Sequence, residues 1–178
     1  MTRNLKLIFF ILVGIFVFFI FLNALEKNNN YLPDKISNEI ETNFKAKLLY
    51  KNREVSLHEL IANEDFSIIN IWASWCLPCR EEHSYLLNLN LVNNINVIGI
   101  NYKDSEVNAK KFLKELGNPY VETLLDPDGT ISIELGAYGV PETFLLNTKS
   151  KKIIKKYIGP LDNTKFNEIL KIIKNEKI

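Results

Sequence analysis

Cysteine is nearly missing from this chain: among 178 residues there are two, Cys76 and Cys79. A scaffold stapled by disulfides needs more of them, spread along the sequence. This pair can close only a very small ring, which constrains the unfolded chain little. Chemistry between the two sulfurs is the stronger reading, and two inert core thiols the weaker one. Histidine is as scarce. His83 shares a helical face with Cys79, but His58 lies far away in sequence. A closed zinc site requires four ligands, so neither a metal nor another cofactor is expected. Charge of one sign is lacking too. The net charge of +1 argues against nucleic acid as the main partner, since phosphate binding needs a concentrated basic face. No segment repeats with the period of a solenoid.

What is present begins with a long apolar run. Leu7 to Leu22 reads LIFFILVGIFVFFIFL. It is slightly short of the ~20 residues that span a bilayer, and Leu5, Ala24 and Leu25 extend it. Arg3, Lys6 and the α-amino group precede it and favour a cytoplasmic N-terminus with the remainder exported. Residues 1–25 are therefore expected to be an anchor crossing the bacterial inner membrane once, through residues 5–25, with the rest in the periplasm. A cleaved signal peptide is the competing reading, although Phe21-Leu22-Asn23-Ala24-Leu25 is a poor match to a small-residue cleavage pattern. Either reading exports the domain. Residues 26–43 are polar and Asn-rich and read as a linker, which leaves one folded domain over 44–178.

Within that domain the hydrophobic pattern alternates strands with helices. Lys45 to Tyr50 and a turn at Lys51-Asn52 suggest a hairpin. Ser56, with Glu59 at capping-box spacing, opens a short helix through Ile61. Phe66–Trp72 and Ile95–Ile100 read as buried strands. Between them Pro78 fits the first turn of a helix that runs through Leu89. Ser105–Leu116 is expected to be a helix with Val107, Phe112, Leu113 and Leu116 inward, ended by Gly117. A short strand at Thr123–Leu125, a turn at Asp126–Gly129, and a hairpin of Thr143–Leu146 with Lys152–Tyr157 follow. Asn163 or Thr164 caps a last helix. The order predicts an α/β fold with a central mixed sheet flanked by helices.

The cysteines sit where redox chemistry needs them. They follow a buried strand and open a helix, whose free N–H groups and positive dipole end stabilise a thiolate at Cys76. The two-residue spacing lets Cys79 reach back one turn. Cys76 is then the attacking sulfur and Cys79 the resolving one. Trp72 and Trp75 before the pair and Pro78 inside it strengthen the signal. A peroxide-reducing role is disfavoured, since no separate peroxidatic cysteine exists.

Trp72-Ala73-Ser74-Trp75-Cys76-Leu77-Pro78-Cys79-Arg80 resembles the active-site segment of exported, TlpA-like reductases with the thioredoxin fold. Glu81-Glu82-His83, Gly99-Ile100-Asn101-Tyr102-Lys103-Asp104 and Gly139-Val140-Pro141-Glu142-Thr143-Phe144 extend the resemblance to the CcmG/DsbE family of cytochrome c biogenesis. It covers residues 44–175 or so. The resemblance implies a thioredoxin-like fold with an extra segment between the second strand and the later hairpin. It implies a reductant in cytochrome c maturation that acts on apocytochrome c or its thiol partner protein and is re-reduced by a membrane electron donor of the DsbD type. It also implies a cis Val140-Pro141 peptide against the CxxC, with Trp75, Pro78, Val140 and Pro141 meeting substrate. Leu77 departs from the small or polar residue, or Pro, of many relatives. A general exported reductase and an apocytochrome-binding module with secondary redox activity are the alternatives.

Two carboxylates complete the candidate catalytic set. Glu82 is three residues past Cys79 on the same helix face, and Glu142 follows the cis-Pro segment. Negative charge near a thiol raises its pKa and favours giving electrons away. Glu82 and Glu142 are thus expected to bias the pair toward reduction and to handle the resolving proton. Ordinary surface carboxylates are the simpler reading of both. Trp72 reads as core. Arg80 could temper the thiolate or be a solvated helix residue. Tyr102 and Asp104 could line a groove. The lysines from Lys149 to Lys156 read as the polar face of a hairpin.

Overall fold

The computed structural model describes residues 2–26, 44–61 and 64–176. The chain divides into two units, Met1–Lys35 and Ile36–Ile178. In the first, helix α1 (Thr2–Glu26) carries the apolar run, and its side chains from Ile8 to Leu22 are all exposed. Among the described residues no helix is long and apolar enough to cross a membrane. The linker expected over 26–43 lies, from residue 27 onward, outside the described residues.

The second unit is built on a central strand. β3 (Phe66–Trp72) is buried along its whole length, as its Ile-rich sequence requires. It pairs in parallel with β4 (Ile95–Tyr102) and antiparallel with β6 (Glu142–Asn147). β5 (Glu122–Asp126) adds in parallel outside β4, and β7 (Lys152–Ile158) antiparallel outside β6. The five-stranded order is β5-β4-β3-β6-β7. The mixed sheet and its flanking helices give the expected thioredoxin-like architecture. A separate hairpin of β1 (Lys45–Lys47) and β2 (Glu54–Ser56) precedes it.

Both faces are covered. On one, Ile69 and Ile71 of β3, Ile98 and Ile100 of β4 and Phe144 of β6 pack with the β1–β2 hairpin and α2 (Leu57–Ile61). Ser56 and Glu59 form the anticipated capping box at the start of α2: the Glu59 N–H donates to Ser56 Oγ, and the Ser56 N–H to Glu59 Oε1. On the other face Ile68 and Trp72 pack with α3 (Leu77–Leu89), α4 (Glu106–Leu116) and α6 (Asn163–Glu176). Between β4 and β6 the chain forms α4, β5 and α5 (Thr130–Glu134).

Two local expectations are corrected. Val107 is exposed; the buried stripe of α4 runs through Ala109, Phe112 and Leu113 with Leu116 packed beside it, which is the i, i+3, i+4, i+7 spacing that Val107 does not fit. The α6 cap is Asp162, whose Oδ1 accepts the Lys165 N–H at 2.8 Å, one or two residues before the expected Asn163 or Thr164. The turn at 126–129 leads into α5, where buried Asp126 accepts the Ile131 and Ser132 N–H groups.

Gly99 of β4 permits the packing behind the cysteines. A Cβ there would lie 2.9 Å from Trp72 Nε1 and 2.9 Å from Tyr120 Cγ, within a Trp72–Tyr120 stack whose centroids are 5.5 Å apart. Gly99→Ala is expected to overpack this stack and lower stability by about 1–3 kcal/mol, read as the midpoint of urea unfolding. An unchanged midpoint would contradict the close packing.

Candidate active site

β3 delivers the chain to the site and α3 opens it. After Trp72 the backbone turns, and the Cys76 N–H donates to the Ala73 carbonyl at 3.2 Å. Cys76 is the N-cap of α3, in extended conformation, with Pro78 in the first turn. Its Sγ accepts the Cys79 N–H at 3.1 Å. A side-chain acceptor at this position satisfies one of the helix's free donors. The same geometry favours negative charge on Cys76 Sγ once the pair is reduced. In the structure Cys76 and Cys79 form a disulfide. Both are buried, Cys76 at 5% exposure and Cys79 at 2%. The difference has the anticipated sign and is small, so helix position separates the two sulfurs better than exposure does. Trp75 and Leu77, which flank Cys76, are well exposed.

Val140-Pro141 is a cis peptide bond. Glu142 pairs with Ile71, so Pro141 stands beside the end of β3 that leads into the cysteines. Val140 packs against the apolar cluster that contains Cys76 and Cys79. The structure thus brings Trp75, the cysteines, Pro78, Val140 and Pro141 to one end of the sheet.

Neither glutamate is a surface carboxylate. Glu82, one turn beyond Cys79, has no exposed surface. Its Oε1 accepts from Asn70 Nδ2 at 2.8 Å and its Oε2 from the Leu161 N–H at 2.7 Å. Asn70 also donates to Thr143 Oγ1 at 3.1 Å and accepts the Tyr120 hydroxyl at 2.8 Å, so both its amide protons and its carbonyl oxygen are engaged. Burial pushes the Glu82 carboxyl from 4.5 up to about 7, against the lowering pull of these two donors and of Lys165. Burial also drives the Tyr120 hydroxyl upward, with Glu82 adding to it, so it stays protonated.

Glu142 is buried in a different setting. Its Oε1 accepts the Tyr138 and Gly139 N–H groups at 2.7 and 3.0 Å, and its Oε2 lies 2.7 Å from the Lys156 ammonium. Lys156 also donates to the Gly136 carbonyl at 2.7 Å and sits 4.1 Å from the Tyr138 ring centroid. This corrects the reading of the Lys149–Lys156 stretch as wholly a polar face: the Lys156 side chain is 2% exposed. Glu142 and Lys156 compensate each other and pin the loop that carries Pro141. Glu82 has no such ion-pair partner among its hydrogen bonds.

The remaining candidates are engaged structurally. Trp72 is core, stacked on Tyr120. Arg80 pairs with Glu115 at 2.8 Å and lies over the Phe112 ring. His83 is buried, with Nε2 2.9 Å from the Gly117 carbonyl. Burial lowers its pKa. Asn70, Tyr120 and Lys156 escaped the sequence reading. A polar residue within FSIINIW was the one available signal, since a buried strand holds an Asn only where partners satisfy it.

A CxxC disulfide at a helix N-terminus, fed by the central strand of a mixed sheet with a cis-Pro beside it, defines the thioredoxin-like class of redox domains. Comparison with known proteins narrows the class. The Redoxin family matches residues 34–173. Thiol:disulfide interchange protein DsbE of Haemophilus influenzae is 38% identical over 125 residues, covering 70% of this chain and 67% of that protein. CycY of Rhizobium leguminosarum bv. viciae is 44% identical over 102 residues, covering 57% of this chain and 54% of that protein. DsbE of Escherichia coli K12 is 51% identical over 80 residues, covering 45% and 43%. The match therefore spans about half the length of these last two relatives. Among solved structures, a secreted Mycobacterium tuberculosis disulfide oxidoreductase homologous to DsbE superposes with a TM-score of 0.60 at 15% identity, covering 72% of this chain and 95% of that one. A DsbF homologue from Corynebacterium diphtheriae gives 0.64 at 24%, covering 78% and 89%. The chain belongs to the Redoxin family, among the DsbE/CcmG-type thiol:disulfide interchange proteins.

The pH dependence of stability follows from Glu82. Its folded pKa of about 7 lies above the ordinary 4.5, so between these values the folded state holds more protons than the unfolded one. The stabilisation is complete below 4.5 and is lost as pH rises through about 7; it amounts to about 3 kcal/mol. Glu82→Gln is expected to flatten that fall, measured by urea unfolding at pH 4.5 and pH 8. An unaltered pH profile in the variant would show that the titrating group is another residue.

Proposed function

We propose that the protein is an exported thiol:disulfide oxidoreductase that works as a reductant in cytochrome c maturation. The observation that carries this reading is the Cys76–Cys79 pair at the start of α3, with Cys76 Sγ facing a helix N–H and the carboxylate of Glu82 buried one turn behind Cys79. In the reduced enzyme the Cys76 thiolate attacks one sulfur of a substrate disulfide. That disulfide breaks, its other sulfur leaves as a thiolate, and a mixed disulfide forms. Cys79 gives its proton to the Glu82 carboxylate and attacks Cys76 Sγ. The second substrate sulfur leaves, and the Cys76–Cys79 disulfide seen in the structure results. The substrate gains two electrons and the enzyme dithiol loses them. A pKa near 7 suits Glu82 to take and return this proton at neutral pH.

Glu142 acts on this reaction through the loop it holds. Val140 and Pro141 offer backbone and apolar contact to a substrate segment, and the exposed Trp75 and Pro78 beside the cysteines offer further contact. The GINYKD and GVPETF segments and the family of the relatives favour apocytochrome c, or a thiol protein of its maturation, as substrate, and a DsbD-type membrane donor for re-reduction. The N-terminal helix is read as a single-pass inner-membrane anchor through residues 5–25, joined by the linker to a periplasmic domain of residues 44–178. The uninterrupted exposure of Ile8–Leu22 supports this, since a helix apolar all round its surface belongs in lipid or a core.

A trapping experiment tests the reading. With Cys79→Ser in intact cells, attack by Cys76 stalls at the mixed disulfide. The expected adduct is apocytochrome c or a maturation thiol protein, identified by mass spectrometry. A broad spread of exported proteins would mean a general reductase, and no adduct from a folded variant would remove Cys76 as the nucleophile.

A further inference from the structure

The loop after β4 is bound to the active-site turn more tightly than chain connectivity requires. Asp104 Oδ2 accepts the Ser74 N–H at 2.6 Å and the Asn101 side-chain amide at 3.1 Å. Its Oδ1 accepts the Ser74 hydroxyl at 2.8 Å and the Ser105 N–H at 2.8 Å. One carboxylate thus gathers four donors, two of them from the residue two before Cys76. Carboxylate acceptors make the stronger class of hydrogen bond. Beside it, the carbonyl of Lys103 accepts the Trp75 indole N–H at 3.0 Å. Trp75 is 59% exposed, so this bond, rather than burial, fixes which way the ring points.

The loop is itself held in an unusual backbone conformation. Lys103 has φ of +44°, the left-handed region that residues other than glycine seldom enter. Its N–H donates to the Asp126 carbonyl at 2.9 Å. Its side chain and the Tyr102 ring lie over Gly129, where a Cβ would come within 2.5 Å of the ring and 2.6 Å of Lys103 Cε. Such a conformation persists where the surroundings over-determine it, and it accompanies functional positioning.

We propose that Asp104 and the Lys103 carbonyl are positioning residues that present Trp75 to the substrate: Asp104 fixes the backbone of the turn at Ser74, and Lys103 fixes the indole. This rests on the reading of Trp75 as a substrate contact. The pair acts on substrate recognition and leaves the sulfur chemistry to Cys76, Cys79 and Glu82. Asp104 therefore touches neither substrate nor sulfur and acts through Ser74 and Trp75.

Asp104→Asn separates these roles, because an amide nitrogen cannot accept from Ser74 or Ser105. The substrate is an oxidised peptide with a Cys-x-x-Cys-His segment, the haem-attachment pattern of c-type cytochromes, and the enzyme is the full chain in detergent. The expected result is a KM raised about tenfold with kcat within about twofold, together with faster solvent exchange of the Trp75 indole N–H by NMR. Ser74→Ala, which removes one of the four bonds and is safe for folding, should shift both readouts in the same direction by a smaller amount. It should add nothing to Asp104→Asn in the double variant. Unchanged indole exchange and unchanged KM in Ser74→Ala and in folded Asp104→Asn would overturn the proposal. Trp75→Ala tests the underlying reading separately: an unchanged KM there would remove Trp75 as a substrate contact, whatever the indole exchange shows.

Discussion

Glu82 carries a carboxylate with no exposed surface, and donors from distant parts of the chain hold it. A buried carboxyl without partners costs several kcal/mol, so the fold must bring those partners to it. Asn70 comes from β3 and Leu161 from the connection into α6; Asn70 is held in turn by Thr143 of β6 and by Tyr120 from the approach to β5. Satisfying one side chain therefore fixes where α3 lies across the sheet and where α6 begins. It also sets the depth of Cys79, which is on the same helix one turn earlier. The redox centre and the packing of the sheet are in this sense one problem with one solution.

The two buried glutamates divide the electrostatics between them. Glu142 faces the Lys156 ammonium and accepts two backbone N–H groups of the loop that carries the cis-Pro. Glu82 is held by neutral donors, and its proton affinity rises because burial outweighs their pull. Cys76 Sγ stands at the helix N-terminus and accepts the Cys79 N–H, while Cys79 lies one turn before the buried Glu82 on the same helix. A helix N–H on one sulfur and not on the other sets two identical side chains in unequal surroundings.

Much of this was legible in the sequence, for local reasons. The run FSIINIW could only be a buried strand, Pro78 marked the start of α3, and Ser56 with Glu59 marked α2. The cis Val140-Pro141 bond was anticipated, whereas the burial of Glu82 and Glu142 was not legible from their spacing alone. What escaped depended on contacts between distant segments. Lys156 sits among lysines of a hairpin and is distinguished only by facing Phe144 and Glu142. Tyr120 lies outside any element, and its hydroxyl finds Asn70 fifty residues earlier. The five-residue helix α5 has little periodicity to show and depends on Asp126 for its first donors. Val107 was misplaced because a β-branched residue near a helix start looks like core until the stripe is fixed by Ala109 and Phe112.

The central claim is that helix position makes Cys76, and not Cys79, the reactive sulfur. It is tested by reducing the protein, treating it with less than one equivalent of iodoacetamide at neutral pH, and locating the label by mass spectrometry. Label on Cys76 with Cys79 unmodified is the expected result, since only Cys76 caps the helix. Label on Cys79, or an even split between the two, would contradict the account.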